Sequence, residues 1–245
     1  MSSVRALLKI WTLGLSLMTA FSLAHPGSVC AESVGSPSGI LKKGKWSFGL
    51  GGGSVVGRDF GGGVTAVMYQ AGHFRGYGLT DWLSIYGKIG VAYLEVDDPS
   101  IKRRDGTTKH SLGGNVISGG QLKARFFENR RRDFEWDGSF QYVDIRGRHR
   151  DKNLGKWHEW LFATSLAKGF GRLKPYLGVK YSLTYLPYKI KEDNHLLGQG
   201  RYHVGAVGPF FGTDFSFGRY EDVVLNIESS YLNGAEVDVA LSYSF

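Results

Sequence analysis

From Ala235 to Phe245 apolar and polar residues alternate without a break. Val237, Val239, Leu241, Tyr243 and Phe245 share one face of an extended segment, and Glu236, Asp238, Ala240, Ser242 and Ser244 share the other. The same period of two runs through "PYLGVKYSLTY", where Pro175, Leu177, Val179, Tyr181, Leu183 and Tyr185 alternate with Gly178, Lys180, Ser182 and Thr184. It recurs at Val223, Leu225, Ile227 and Tyr231, and at Leu83, Ile85, Ile89 and Val91. The pattern predicts ten strands, near residues 45–56, 63–77, 82–96, 113–127, 133–145, 157–169, 173–187, 202–217, 222–231 and 235–245. Eight or twelve follow if a segment is split or merged. The second and eighth are less regular, and Pro209 predicts a bulge or shift of phase in the eighth.

Connector lengths alternate as well. Long polar connectors are expected after strands three (Asp97 to Ser111), five (Arg146 to Lys156) and seven (Tyr188 to Arg201). Short ones follow strands two ("GLTD"), four ("ENRRR"), six ("GFGR") and eight ("GRYED"), while "GRDFGG" and "LNG" are short connectors on the long-loop side. Such alternation is what an up-and-down antiparallel sheet produces when its two ends meet different surroundings.

Composition supports strands over helices. The chain of 245 residues carries 36 glycines, and a glycine inside a helix costs roughly 1 kcal/mol relative to alanine. Beyond residue 31 no stretch approaches the roughly 20 apolar residues of a spanning helix. The first residues differ: Arg5 and Lys9 precede "IWTLGLSLMTAFSLA", an apolar run of secretory-signal length. Cleavage is expected after Ala24 or, better, after Ala31, where Val29 and Ala31 supply small residues at the right spacing. That gives a signal peptide over 1–31, a short leader over 32–44 and the strands over 45–245. A lipoprotein reading of Cys30 is weaker, because Val29 stands where Gly or Ala is expected. Removing Arg5 and Lys9 with no acid takes the formal balance from +8 to +6, and a mature chain from Glu32 has no cysteine for disulfide or thiolate chemistry.

A sheet with an apolar face and no helix to cover it must pack that face on a second sheet or on lipid. The signal segment, the Gly-rich strand-turn-strand "GYGLTDWLSIYGKIG", and Phe245 following Val239, Leu241 and Tyr243 together resemble the small outer-membrane β-barrels of Gram-negative bacteria. The resemblance covers the whole mature chain and matches no single subfamily. It implies an all-β transmembrane up-and-down antiparallel barrel in the outer membrane, with outer-membrane lipids and lipopolysaccharide as neighbours. It further implies that Val239, Leu241, Tyr243 and Phe245 are read by the barrel-assembly machinery. No cofactor and no nucleic-acid partner is implied. A soluble β-sandwich is the alternative. Against it, Trp46, Trp82, Trp136, Trp157 and Trp160 lie near strand ends, as in interfacial girdles.

If the odd residues of the tenth strand face lipid, the opposite parity faces a lumen. That assigns Lys88, Lys123, Arg125 and Lys180 as inward cations and Glu135, Asp137, Glu159, Asp214, Glu228 and Asp238 as inward anions. Cations concentrate on strands three and four, and anions on strands eight to ten. The turn at Asn129 to Arg131 sets Arg125 opposite Glu135 and Lys123 opposite Asp137. In the last hairpin a two-residue turn would break the lipid pattern. A three-residue loop, Leu232 to Gly234 with Gly234 left-handed, keeps it and faces Glu228 with Asp238. Two carboxylates so placed share a proton or hold a cation between them, with Lys88, Lys123 or Lys180 within reach. A ten-stranded interior is little wider than side chains fill. The charges therefore read first as a cross-lumen seal and second as a narrow pore with a transverse field.

Function is less legible. "RGRHRDKNLGK" carries five Lys or Arg against one Asp. Arg146, Arg148, Arg150, Lys152 and Lys156, with Lys102 to Arg104, form a candidate anion-binding loop surface for lipopolysaccharide phosphates, a surface ligand or another cell. A porin-like or structural barrel is the first expectation, a surface-binding barrel the second, and an outer-membrane deacylase or protease the third. No catalytic constellation stands out. Asp97 and Asp98 could find a base only in His195 or His203, adjacent His110 and Ser111 lack the spacing for one face, and His73, His149 and His158 have no nucleophile at strand spacing. The scattered histidines predict no metal site.

Overall fold

The computed structural model describes residues 39–148, 153–193, 195–218 and 222–245. The expected signal peptide, Cys30, the first part of the leader, and His149, Arg150 and Lys152 lie outside the described residues. Ten strands form: β1 (Trp46–Asp59), β2 (Thr65–Gly78), β3 (Leu83–Asp97), β4 (Lys109–Asn129), β5 (Phe134–Arg148), β6 (Leu154–Lys168), β7 (Leu173–Glu192), β8 (His195–Phe217), β9 (Val223–Tyr231) and β10 (Ala235–Ser244). Each pairs antiparallel with its neighbours in sequence. β1 also pairs with β10, from Ser47 opposite Ser244 to Val56 opposite Ala235, which closes the barrel. The ten-stranded up-and-down barrel is the architecture the alternation predicts.

Two of the expected long loops are strand. β7 runs to Glu192 and β8 resumes at His195, so the stretch expected as the connector Tyr188 to Arg201 is mostly a paired hairpin. Arg146 and Lys156, expected in a loop, are cross-strand partners of β5 and β6. The reason lies in what the inward positions carry. Leu186, Tyr188 and Ile190 continue the inward parity of Lys180, Ser182 and Thr184 and are buried, so the strand has an apolar core to pack on beyond its polar lumen. On the outward face the chemistry changes in the opposite sense, from Leu177, Val179, Tyr181 and Leu183 to Lys189. Parity is constant along the strand while the two faces exchange polarity.

The exchange recurs around the wall. On β3 the outward Ile85, Ile89, Val91 and Tyr93 give way to Glu95 and Asp97, while inward Lys88 gives way to Leu94 and Val96. On β6 outward Leu166, Phe162 and Trp160 give way to His158 and Lys156. The barrel is thus two objects on one set of strands: a lower part with an exposed apolar belt around polar contents, and an upper part with an apolar core inside a polar surface. The upper part is one-sided. β8 pairs with β9 only from Phe210 onward, and its residues from His195 to Pro209 pair with β7.

Several local expectations are corrected. Pro209 causes no phase shift; it pairs in register with Val179, and the only irregularity of the β7–β8 ladder falls between Ile190 and Lys191. The turn closes with Asn129 opposite Phe134, later than expected, and with the bulge at Phe126 this sets Arg125 opposite Asp137 and Lys123 opposite Ser139, two residues from the expected pairs. The last hairpin has the expected three-residue loop, with Tyr231 opposite Ala235, but Asn233 (φ 52°) takes the left-handed position and Gly234 does not. Glycine is needed at 234 for space, since a Cβ there would lie 2.8 Å from the Arg58 backbone. Trp46, Trp82, Trp136 and Trp160 are exposed, as girdle residues should be, but Trp157 is fully buried because its parity points inward.

These placements separate the tryptophans by depth and face. In single-tryptophan variants reconstituted in bilayers with brominated acyl chains, Trp136 and Trp160 fluorescence should be strongly quenched and Trp157 fluorescence nearly untouched. Equal quenching of Trp157 and Trp160 would refute the inward parity of β6.

Candidate functional site

The interior is best built from its outer end downward. Arg58 sits near the end of β1, beyond Gly57, in the stretch "GRDFGG" that the sequence presents as a turn. Its side chain is fully buried and points across the lumen. Nη1 donates to Glu159 Oε1 at 2.8 Å, Thr184 Oγ1 at 3.1 Å and Ser182 Oγ at 3.3 Å, and Nη2 pairs with Glu236. Trp157 packs its ring 5.6 Å from the guanidinium carbon and donates Nε1–H to Glu159 Oε2 at 3.0 Å. Four strands thus converge on one guanidinium. A buried cation persists in such a place only when its donors are matched by anions and hydroxyls.

Below it, Lys180 of β7 pairs with Glu228 of β9, donates to Ser230 Oγ at 3.3 Å and lies 3.9 Å from Glu236. Tyr176 donates to Glu228 Oε2 at 2.9 Å, and Asn226 donates to Tyr176 at 2.8 Å and to Asp214. Glu228 and Asp238 are direct cross-strand partners, as the three-residue loop requires. Of the three lysines considered for that pair, Lys180 bridges to Glu228. Nearer the short-turn end Arg125 contacts Glu135 at 2.9 Å and Asp137 at 3.2 Å, and Lys174 contacts Glu135 at 2.8 Å. Lys88 donates to Gln70 at 3.1 Å, and Lys123 lies 5.5 Å over the Tyr86 ring.

All ten expected lumen charges, Glu159 among them, therefore point inward. They are not divided into a basic and an acidic wall, because Lys180 and Arg58 carry positive charge into the acidic side. Arg58, Lys174, Tyr176 and Glu236 were not singled out from sequence. Glu236 shares its parity with Asp238 and was legible; Arg58 was not, because it lies beyond a break in the alternation.

Both ends of this interior are filled. At the outer end Phe60 and Val64 of the β1–β2 loop and Ile101 of the β3–β4 loop fold onto Leu94, Ile145 and Leu186, and Phe60 meets Trp157 edge-on at 5.7 Å. At the other end the leader enters the mouth. Leu41 is buried against Phe74, Tyr86 and Ala240 and donates its N–H to Ser84 at 2.8 Å, while Tyr86 donates to the Gly39 carbonyl. A Cβ on Gly39 would lie 2.8 Å from Lys123 Cδ, so the backbone rests on the lysine stem.

An exposed apolar belt around a closed ring whose polar contents are paired is suited to one solvent only. The chain is a ten-stranded β-barrel built to span a lipid bilayer. No family model matches the sequence, and no curated protein matches it. Among solved structures it is similar to the translocator domain of the autotransporter NalP from Neisseria meningitidis (TM-score 0.48, 10% identity, covering 84% of this chain and 89% of that one). It is also similar to the outer membrane protease OmpT from Escherichia coli (0.44, 9%, 82% and 95%) and to the outer membrane protein OprG from Pseudomonas aeruginosa (0.40, 13%, 84% and 98%). Their activities are their own; the placement of this barrel rests on its strand pairing and its belt.

The candidate catalytic groups are dispersed. Asp98 is buried and accepts from Ser100 Oγ at 2.6 Å, from the Ser100 N–H at 2.9 Å and from Tyr188. Burial alone would raise its pKa, but those hydrogen bonds prevail and hold it below the usual carboxylate range. Asp97 points outward. His110 is buried with Nε2 at 2.9 Å from the Ile101 carbonyl, while Ser111 takes the Gly113 N–H. The basic stretch is strand-borne at its described ends, with Arg146 and Lys156 exposed and outward.

Removing the central cation should be costly, because Glu159 and Glu236 would remain buried without it. Arg58→Ala is expected to destabilise the refolded barrel by about 3–5 kcal/mol, and Glu159→Gln in the same chain should recover part of that loss. Urea unfolding in detergent micelles measures both, and a loss under about 1 kcal/mol would show that Arg58 does not hold the acids together.

Proposed function

We propose that this protein is a sealed structural barrel and does not conduct solutes. The observation that carries the reading is that, among the described residues, side chains occupy the interior at three levels: the leader at the inner mouth, paired charges in the middle and an apolar core at the outer end. A void of about 10 Å³ lies between Phe74, Tyr86, Lys88, Gln121 and Gln141, room for about one water molecule. The paired acids and bases are worth more to each other across this narrow, partly desolvated space than to passing ions. The barrel then serves to fix the tall β3–β8 wall above the membrane as a rigid surface. Surface binding, the second reading, is favoured by the exposed outward cations of that wall.

Ionic conductance of residues 32–245 in a planar bilayer tests the seal. Insertion should be silent at ordinary voltages. Discrete steps from the unaltered protein would overturn the reading, especially steps whose size or ion selectivity changes with Lys180→Gln.

A further inference from the structure

The tall wall ends in a free strand edge. β8 pairs with β7 from His195 opposite Glu192 to Phe215 opposite Leu173, but β9 reaches it only from Phe210. A Cβ on Gly208 would collide with the Tyr231 carbonyl, which marks where β9 gives way to its turn. From Leu196 to Val207 every second residue turns its N–H and C=O away from β7, and among the described residues no strand or loop backbone takes them up. Strand edges are commonly blunted by proline, by inward charges or by a bulge. Here the irregularity of the β7–β8 ladder falls at the tip, next to Lys191, and Pro209 stands below the free stretch. The sequence of that stretch, "LGQGRYHVGAV", carries one formal charge, the outward and exposed Arg201.

We propose that this edge takes up an extended segment of a partner protein as an additional strand, one whose residues alternate between apolar and acidic. The inward side sets the apolar requirement. Tyr202 and Val204 are only half-buried although they pack on the apolar core of the wall, and Phe60 meets Tyr202 edge-on at 6.4 Å. A strand laid beside β8 brings its inward side chains within about 5 Å of theirs and completes a core that otherwise stops at the edge. The outward side sets the charge. Arg201 stands on β8 itself, and Lys189 opposite Gln199 and Lys191 opposite Leu196 stand on the next strand. The acids of the hairpin tip, Glu192 and Asp193, are engaged by Arg104 of the β3–β4 loop. Acidic side chains at the facing positions of the added strand meet the cations, while basic ones are repelled. Hydrogen bonds to the β8 backbone supply affinity without regard to sequence, and the two faces supply the choice of partner. A second copy in the same bilayer does not fit. A two-fold axis along the bilayer normal would run β8 parallel to β8 with each N–H facing its own counterpart, and would bring the two Arg201 side chains together. The proposal uses the wall and not the lumen, so it stands whether or not the barrel conducts.

The probe is a synthetic peptide of alternating glutamate and valine, long enough to span Leu196 to Val207, added to the full mature chain in detergent micelles. Binding is read by fluorescence anisotropy, and backbone pairing by hydrogen exchange of the β8 amides. The alternating peptide should bind on the order of tenfold more tightly than one of the same composition in Glu-Glu-Val-Val order, or one of alternating lysine and valine. Free amides between Leu196 and Val207 should exchange on the order of tenfold more slowly once it is bound. The same peptide N-methylated at every amide keeps its side chains and should not bind. K189Q/K191Q/R201Q should remove the preference for glutamate over lysine, whereas K42Q/K43Q/K45Q, an equal loss of exposed charge at the inner mouth, should leave it intact. Equal binding of the N-methylated peptide, or binding without slower exchange in β8, would overturn the proposal and mark a site for polyanions. Failure of the alternating peptide to bind at millimolar concentration would overturn it too. So would β8 protection that grows with protein concentration when no peptide is present, which would assign the edge to a second copy.

Discussion

A polypeptide in hydrocarbon has no water to receive its N–H and C=O groups, and each one left open costs several kcal/mol. Everything else in this molecule follows from meeting that constraint by closing β1 on β10. The ten residue pairs between them leave no edge within the belt. Closure fixes the strand number and with it the width of the interior, and ten strands leave a space that side chains can span. Arg58 can reach Glu159, Thr184 and Glu236 from a single position because the ring is that narrow.

Closure constrains the side chains as well. A strand that stays in register cannot turn its residues over, so a strand longer than the membrane is thick must exchange its chemistry between faces at the point of exit. β7 does so between Thr184 and Leu186 on the inside and between Tyr185 and Lys189 on the outside. Above that point the barrel obeys the rules of soluble proteins, with Trp157, Leu186 and Ile190 fully buried in an apolar core. Below it the rules are inverted. The acids and bases there have no water to return to and are held by one another.

This exchange explains what the sequence could and could not tell. The strand count, the closed antiparallel order, the lipid-facing residues of β10 and the inward direction of all ten expected charges were legible, because each rests on parity within an unbroken run. The ends of β7 and β8 were not. A polar stretch such as "YKIKEDNHLLGQGR" reads as a loop when outward polarity is taken to end the strand, and only the inward Tyr188 and Ile190 reveal that the strand continues. Trp157 was misplaced for the same reason, since a tryptophan near a strand end fits an interfacial girdle or an apolar core equally well and its face decides. Arg58 was hidden by the irregularity at Gly57, and the Arg125 pairing by a turn that closes at Asn129 and Phe134, later than its sequence suggests, together with the bulge at Phe126. Register errors of this kind are local in sequence but move every partner beyond them.

The two faces of the upper wall answer to different demands. Inward residues there are fixed by packing: exchanging Leu186 or Trp157 disturbs the core that closes the outer end. Outward residues at the same height face the boundary of the bilayer and owe nothing to that core. Yet Asp144, His158, Tyr185 and His203 are joined in a row, and Asp144 is nearly as buried as a core residue. Asp144 is drawn out of water there, so its contacts with Arg146 and His158 offset the cost of burying a carboxylate. The order of this row follows from that burial, because a carboxylate withdrawn from water on the outward face has to be met by the guanidinium and the imidazole beside it.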